Sequence, residues 1–277
     1  MVMTLFRVFL LAIALVFFFI VGAPLQMLLA RRSPALAARL AIAFCRTLLG
    51  ILRVSIDIAG SPERQGPVLL AVNHVSWIDV LALGSVMPFC FLAKHEVARW
   101  PILSAFAKVQ GTVFVDRSRR RGIMPANRQM ADRMLEGRIV LLFPEGTTYD
   151  GETPGRFHSS HFASARDLLR GASEREVVSV QPVALAYSSA AAAWIGDDAL
   201  LPHLWRVLRG APLRCLVTFG PALAYRRDTD RKVVARLSRA AIIAMLASAR
   251  AERPLYAWTN HVPAEACDDP AEMPMSA

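Results

Sequence analysis

The chain has only four cysteines, Cys45, Cys90, Cys215 and Cys267, and no Cys-x-x-Cys pair. That excludes a disulfide framework and a cysteine zinc site, and it fits a reducing compartment. There is no Gly-x-Ser-x-Gly elbow to carry a serine acyl-enzyme. His158 and His161 stand three apart with no third ligand nearby, so no metal and no resident cofactor are expected. Acidic residues are also scarce: 22 Asp and Glu against 32 Lys and Arg give a net charge of +10. Nucleic acid and anionic lipid are the usual partners of such a charge. The basic segments lack the interleaved aromatics that stack bases, so nucleic acid is not an expected partner.

Polar side chains are missing altogether from Val8 to Leu25, and with Gln26 tolerated the apolar run reaches Ala30. About 20 apolar residues cross a hydrocarbon core. Only Arg7 precedes the run, whereas Arg31 and Arg32 come after it. That order argues against a cleaved signal peptide and places the rest of the chain on the cytoplasmic face of a bacterial-type inner membrane. Pro24 offers a break, so a one-leaflet anchor is as open as a full span. Ser33-Pro34 then starts a helix, and Arg32, Arg39, Arg46 and Arg53 recur every seven residues among leucines, the last of them falling in the following strand. This is the pattern of an amphipathic helix on anionic membrane lipids.

Beyond residue 53, apolar runs alternate with helical stretches. Strands are predicted at Val54–Ile58, Val68–Val72, Gly111–Val115, Ile139–Phe143, Val177–Ala186 and Leu213–Phe219. Helices are predicted at Ile78–Met87, Val97–Val109, Arg121–Glu136, His161–Leu169 and Asp230–Ala251, the last capped by Thr229. The pattern predicts an α/β fold: a mixed, largely parallel sheet flanked by helices, behind an N-terminal membrane-anchoring helix and an amphipathic helix. Residues 1–52 would be the anchor and interfacial helix, 53–256 the catalytic domain, and 257–277 a disordered tail rich in proline, alanine and acids.

Within this frame, Asn73-His74-Val75-Ser76-Trp77-Ile78-Asp79 comes directly after the strand ending at Val72. A histidine and a carboxylate can act as a base and its orienter. On one regular helix, side chains five residues apart point roughly 140° away from each other. The pair can meet only if His74 lies in the loop before the helix. Ser76 and Asp79 form a capping-box pattern that puts it there, and the N–H groups at such a helix start could face an oxyanion or a phosphate. Two more polar clusters, Asp116-Arg117 and Glu145-Gly146-Thr147, also stand just after predicted strands. Ligands bind along the carboxyl edge of open α/β sheets.

Four blocks in order, Asn73-His74-x-Ser76-Trp77-x-Asp79, Gly111–Arg117, Phe143-Pro144-Glu145-Gly146-Thr147 and Val180-Gln181-Pro182-Val183, resemble the glycerolipid acyltransferase family over residues 50–220. Its members include the 1-acyl-glycerol-3-phosphate acyltransferases. The resemblance implies transfer of a fatty acyl group from an acyl carrier protein or coenzyme A thioester, as co-substrate, to the hydroxyl of a lysolipid acceptor. It implies His74 as general base and Asp79 as its partner. Arg117, Glu145, Gly146 and Thr147 would bind the acceptor head group, with Asn73 and Ser76 in support. The chemistry agrees, because a thioester is already activated and needs a base for the attacking hydroxyl rather than an enzyme nucleophile. Phe89, Phe91, Trp100, Leu103 and Phe106 are candidates either for an acyl tunnel or for the core.

One departure bears on the acceptor. Phosphate-accepting members commonly carry arginine after Glu-Gly-Thr, and here Thr148 stands in that place. The continuation Phe157-His158-Ser159-Ser160-His161-Phe162 differs too and is similar to the lyso-ornithine lipid acyltransferase branch. The expected acceptor is 1-acyl-sn-glycerol-3-phosphate, giving phosphatidate, with lyso-ornithine lipid as the alternative.

Overall fold

The computed structural model describes residues 2–94, 112–115, 120–196, 198–252 and 256. The predicted helix over 97–109 and the predicted tail lie outside them. The apolar N-terminus is one long helix: α1 (Val2–Phe17), a π-turn over Phe18–Gly22, then α2 (Ala23–Arg32). Pro24 does not break it. Proline lacks an N–H and crowds the carbonyl four residues back. The π-turn, closed by the Ala23 N–H on the Phe18 carbonyl, loosens the helix at that point. After Ser33 the chain reverses into α3 (Pro34–Leu52), with Phe44 stacked on Phe18 across the hairpin.

Strand β1 (Val54–Ala59) comes next, then β2 (Val68–Val72), α4 (Ile78–Gly84), β3 (Cys90–Lys94), β4 (Val113–Val115), α5 (Arg120–Leu135) and β5 (Val140–Leu142). The chain continues through α6 (Ala163–Gly171), β6 (Val178–Tyr187), a short 3-10 turn at Ala190–Ala192, α7 (Leu200–Arg209), β7 (Leu213–Phe219), β8 (Leu223–Tyr225) and α8 (Arg231–Glu252). The sheet order is β1-β7-β6-β2-β5-β3-β4, with β8 also on β6. Strands β6, β2, β5, β3 and β4 are mutually parallel; β7 and β8 run antiparallel to β6, and β1 runs parallel to β7.

The sheet is covered on both faces. Leu69 and Ala71 of β2 point into a core with Met130 and Met134 of α5, Leu168 of α6 and Ile242 of α8. Val68, Leu70 and Val72 point the other way, onto α3, α4 and α7. Alternate residues facing two apolar layers explain why β2 reads as an unbroken apolar run. The N-terminal helical hairpin, the helix after His74 and α7 thus share one layer.

Some expectations need correction. Arg46 does not stand free in a lipid-facing stripe: its Nε–H donates to the Ser85 carbonyl at 2.9 Å. Arg53 caps α3 in the left-handed region, one residue before β1, and lies in neither the helix nor the strand. The last helix is capped by Asp230, whose side chain accepts the Lys232 N–H at 2.8 Å, rather than by Thr229.

Candidate active site

The carboxyl ends of β2 and β5 meet at one edge, and the predicted residues there gather as the fold requires. Where β2 ends, Asn73 continues its ladder with a side chain. Its Nδ2 donates to the Leu185 carbonyl at 3.0 Å and its Oδ1 accepts the Leu185 N–H at 2.8 Å. That amide pair on β6 releases the backbone of β2 into the loop bearing His74.

His74 Nδ1 lies 2.8 Å from Asp79 Oδ2. The imidazole stacks on Phe143 with ring centroids 3.9 Å apart, and its side chain keeps 20% of its surface exposed, against 0% for Asp79. With Nδ1–H donating to the carboxylate, Nε2 keeps the lone pair. Asp79 is well satisfied. Oδ2 also accepts the N–H groups of Val75 at 2.7 Å and Ser76 at 2.9 Å, and Oδ1 accepts the Tyr187 hydroxyl at 2.7 Å. Burial, reinforced by the Asp79 charge, pushes the Tyr187 phenol well above its ordinary range, so it remains a donor.

Only half of the expected capping box forms. Asp79 reaches back to the Ser76 N–H, but the buried Ser76 hydroxyl has no hydrogen-bond partner among the described residues. The helix proper starts at Ile78. Because Val75 and Ser76 donate to Asp79, their N–H groups are not open to an oxyanion or a phosphate, a correction to the sequence-based expectation.

Glu145 sits beneath the His74 loop. Its Oε1 accepts the His74 N–H and its Oε2 the Gly155 N–H, both at 2.7 Å. Burial pushes its carboxyl up to about 7, partly opposed by those two N–H groups. Gly146 turns the chain at φ 81°, with its N–H on the Phe143 carbonyl. Thr147 is exposed beyond that turn. The Tyr149 N–H then returns to the His74 carbonyl at 2.8 Å, so the two loops are joined on both sides of the histidine. Arg239 of α8 clamps the covering loop, with Nε–H to the Gly155 carbonyl at 2.7 Å. Thr148 turns its hydroxyl to the Trp194 carbonyl, and the Trp194 N–H donates to the Val75 carbonyl at 3.0 Å.

Arg117 and Asp116 lie outside the described residues; β4, which precedes them, ends at Val115 on the same edge. His161 Nδ1 pairs with Asn127 Oδ1 at 3.0 Å. Tyr187, Gly155 and Arg239 escaped the sequence reading, and Phe143 entered it only as part of a motif, without its stacking on His74. The usable signal for Tyr187 was register, because β6 parallel to β2 carries its carboxyl end to the same edge. Phe89 and Phe91 line an apolar cavity with Ala41, Cys45 and Val80 between α3 and α4. Trp100, Leu103 and Phe106 lie outside the described residues.

Known proteins resemble this chain in sequence and in fold. Residues 55–186 match the family model described as Acyltransferase. The chain is 37% identical to the lyso-ornithine lipid O-acyltransferase of Rhizobium meliloti over 82% of its own length and 81% of that protein. It is 35% identical to the 1-acyl-sn-glycerol-3-phosphate acyltransferase of Neisseria gonorrhoeae over 65% of its length and 70% of that protein. The fold is similar to the crystal structure of the 1-acyl-sn-glycerophosphate (LPA) acyltransferase PlsC from Thermotoga maritima. There the TM-score is 0.63 at 16% identity, over 94% of this chain and 97% of that one.

Proposed function

The chain belongs to the glycerolipid acyltransferase family, and from that premise we propose that it is a membrane-attached lysolipid O-acyltransferase whose acceptor is lyso-ornithine lipid. One observation carries the catalytic part. His74 Nδ1 is held by a buried Asp79 that accepts three further hydrogen bonds, while the imidazole keeps 20% of its side-chain surface exposed at the carboxyl edge of the sheet. In this reading Nε2 takes the proton from the lysolipid hydroxyl as its oxygen attacks the thioester carbonyl. The tetrahedral intermediate then expels the thiolate, which receives that proton from the imidazolium. An ester and a free thiol result, and Asp79 offsets the positive charge on the ring throughout. No resident cofactor is needed. Acyl carrier protein or coenzyme A brings the acyl group.

Thr148 supports the choice of acceptor. Its hydroxyl is engaged by the Trp194 carbonyl, so this position supplies no cation for a phosphate dianion. The Rhizobium relative, matched over 82% of this chain, is a lyso-ornithine enzyme. Arg117, beyond β4, would hold the ornithine carboxylate, with Gly146 and Thr147 at the head-group rim. The Neisseria relative favours lysophosphatidate as the second reading.

The anchor supports attachment from one side, the cytoplasmic face of the inner membrane. Arg7, near the start of α1, donates to the Leu208 carbonyl at 3.1 Å, so the hairpin both begins and ends on the catalytic domain. Val2–Arg32 is long and apolar enough to cross a bilayer, yet it lies against the domain along Leu11, Ala14 and Leu15.

The test is acyl incorporation by membranes carrying the protein, with lyso-ornithine lipid and lysophosphatidate offered side by side. His74→Ala should abolish transfer to both. Undiminished transfer would overturn the catalytic assignment, and a preference for lysophosphatidate would reassign the acceptor.

A further inference from the structure

Helix α7 has two unlike sides. His203, Val207 and Leu208 are buried. Outward, Leu201 is 73% exposed and Trp205 38%, and Arg209 completes the same i, i+4, i+8 face. The Arg209 guanidinium lies 5.8 Å from the centroid of the Trp205 ring. Ile195, just before the helix, is also exposed. No acidic residue occurs between Asp198 and Asp228, and Asp198 is paired with Arg206. Scattered exposed apolar residues need no explanation. A leucine and a tryptophan in line with arginines, on a helix lacking acids, have the composition of a helix lying in a lipid interface.

Its position strengthens the case. The last turn of α7 receives the hydrogen bond from Arg7 at the Leu208 carbonyl, so this helix adjoins the exposed apolar N-terminal helix. The buried side leads to the active site. Trp77 Nε1–H donates to His203 Nδ1 at 3.0 Å, and His203 Nε2–H donates to the Ala193 carbonyl at 2.9 Å. Trp194, next in the chain, is bonded to Val75 beside His74.

We propose that the outer face of α7 is a second membrane contact, an in-plane helix seated in an anionic head-group layer beside the anchor. Resting on the reading of a membrane-borne lysolipid substrate, it sets the height of His74 above the bilayer surface. Leu201 and Trp205 enter the interface and Arg209 meets lipid phosphates.

The test uses the full chain with Cys267→Ser, the other cysteines Cys45, Cys90 and Cys215 being buried. An environment-sensitive fluorophore is placed at Leu201→Cys or, as the anchor control, at Ile13→Cys. Vesicles of phosphatidylcholine, with or without phosphatidylglycerol, carry a shallow nitroxide quencher. Both labels should be quenched by the lipid, the one at 201 more strongly with phosphatidylglycerol and less in high salt. Quenching at 13 with continued access of iodide at 201 overturns the proposal while leaving the anchor intact. Protection of the 201 label by acyl carrier protein instead of vesicles also overturns it. Quenching at neither site overturns the membrane reading with it. Leu201→Glu with Trp205→Glu should lower transfer to vesicle-borne lysolipid about tenfold, with activity in detergent micelles within about twofold of the parent. An equal loss in both would mark a folding defect and count against the contact.

Discussion

Glu145 holds the backbone N–H of His74 at 2.7 Å with one carboxylate oxygen and the N–H of Gly155 with the other. A side chain read from sequence as a head-group ligand thus supports the loop that carries the proposed base. Glu145→Gln keeps the shape but turns an NH2 toward one of the two N–H groups. An unmatched buried donor costs about 1–3 kcal/mol, so kcat/KM should fall roughly ten- to hundredfold. The carboxyl, pushed up from 4.5 to about 7 by burial, also has a pH signature. A group whose folded pKa is raised stabilises the fold fully below its ordinary value and loses that share as pH rises through the folded value. The parent's Tm should therefore decline relative to Glu145→Gln as pH rises through this window, and thermal unfolding of both across pH 4–8 checks it.

Tyr187→Phe removes one donor from a fully buried carboxylate and leaves the ring packing unchanged. Asp79 Oδ1 would lose its partner and be freer to rotate away from His74. We expect kcat to fall about tenfold, in line with about 1–2 kcal/mol for a charge-assisted hydrogen bond, with KM nearly constant. Steady-state kinetics beside a far-ultraviolet circular dichroism melt separates this from unfolding.

His203 must be neutral to accept from Trp77 and donate to Ala193, and burial lowers its pKa below 6.5. As pH falls, the unfolded chain binds the proton first. Its contribution is therefore intact above 6.5 and lost as pH falls toward the folded value. Trp77 should report this as a fluorescence change and a falling Tm on acidification. His203→Phe should lose about 1–2 kcal/mol at neutral pH and flatten the acid limb.

The legible parts were those in which a residue's neighbours in sequence decide its environment. Strands β2 and β7 match their predicted ends, because a run of apolar residues between turn signals has one reading. Strand direction is not carried by such a run, so the reversal of β7 relative to β6 was invisible. Strand β3 was missed, lying just after Pro88 in a short segment. Helix α7 is not among the predicted helices; it holds Pro202, which in a first turn removes only an N–H that has no helical partner. The contact of His74 with Asp79 was readable from six residues of local sequence. Tyr187 is 108 residues from Asp79, and only the sheet register joins them.

The small cavity between α3 and α4 makes the last prediction. Ala41 lines it from the N-terminal hairpin, and Phe89 and Phe91 from either side of Cys90. Its volume of about 10 Å³ is room for no more than one water, so the hairpin is closely packed on α4. Ala41 itself is buried. Ala41→Phe would therefore overpack this contact and cost about 1–3 kcal/mol. Tm should fall by several degrees, whereas the exposed change Leu36→Ala on the same helix should leave it nearly unchanged. Thermal unfolding of parent and both variants checks this. An unchanged Tm for Ala41→Phe would show that the hairpin yields at this contact without cost to the fold.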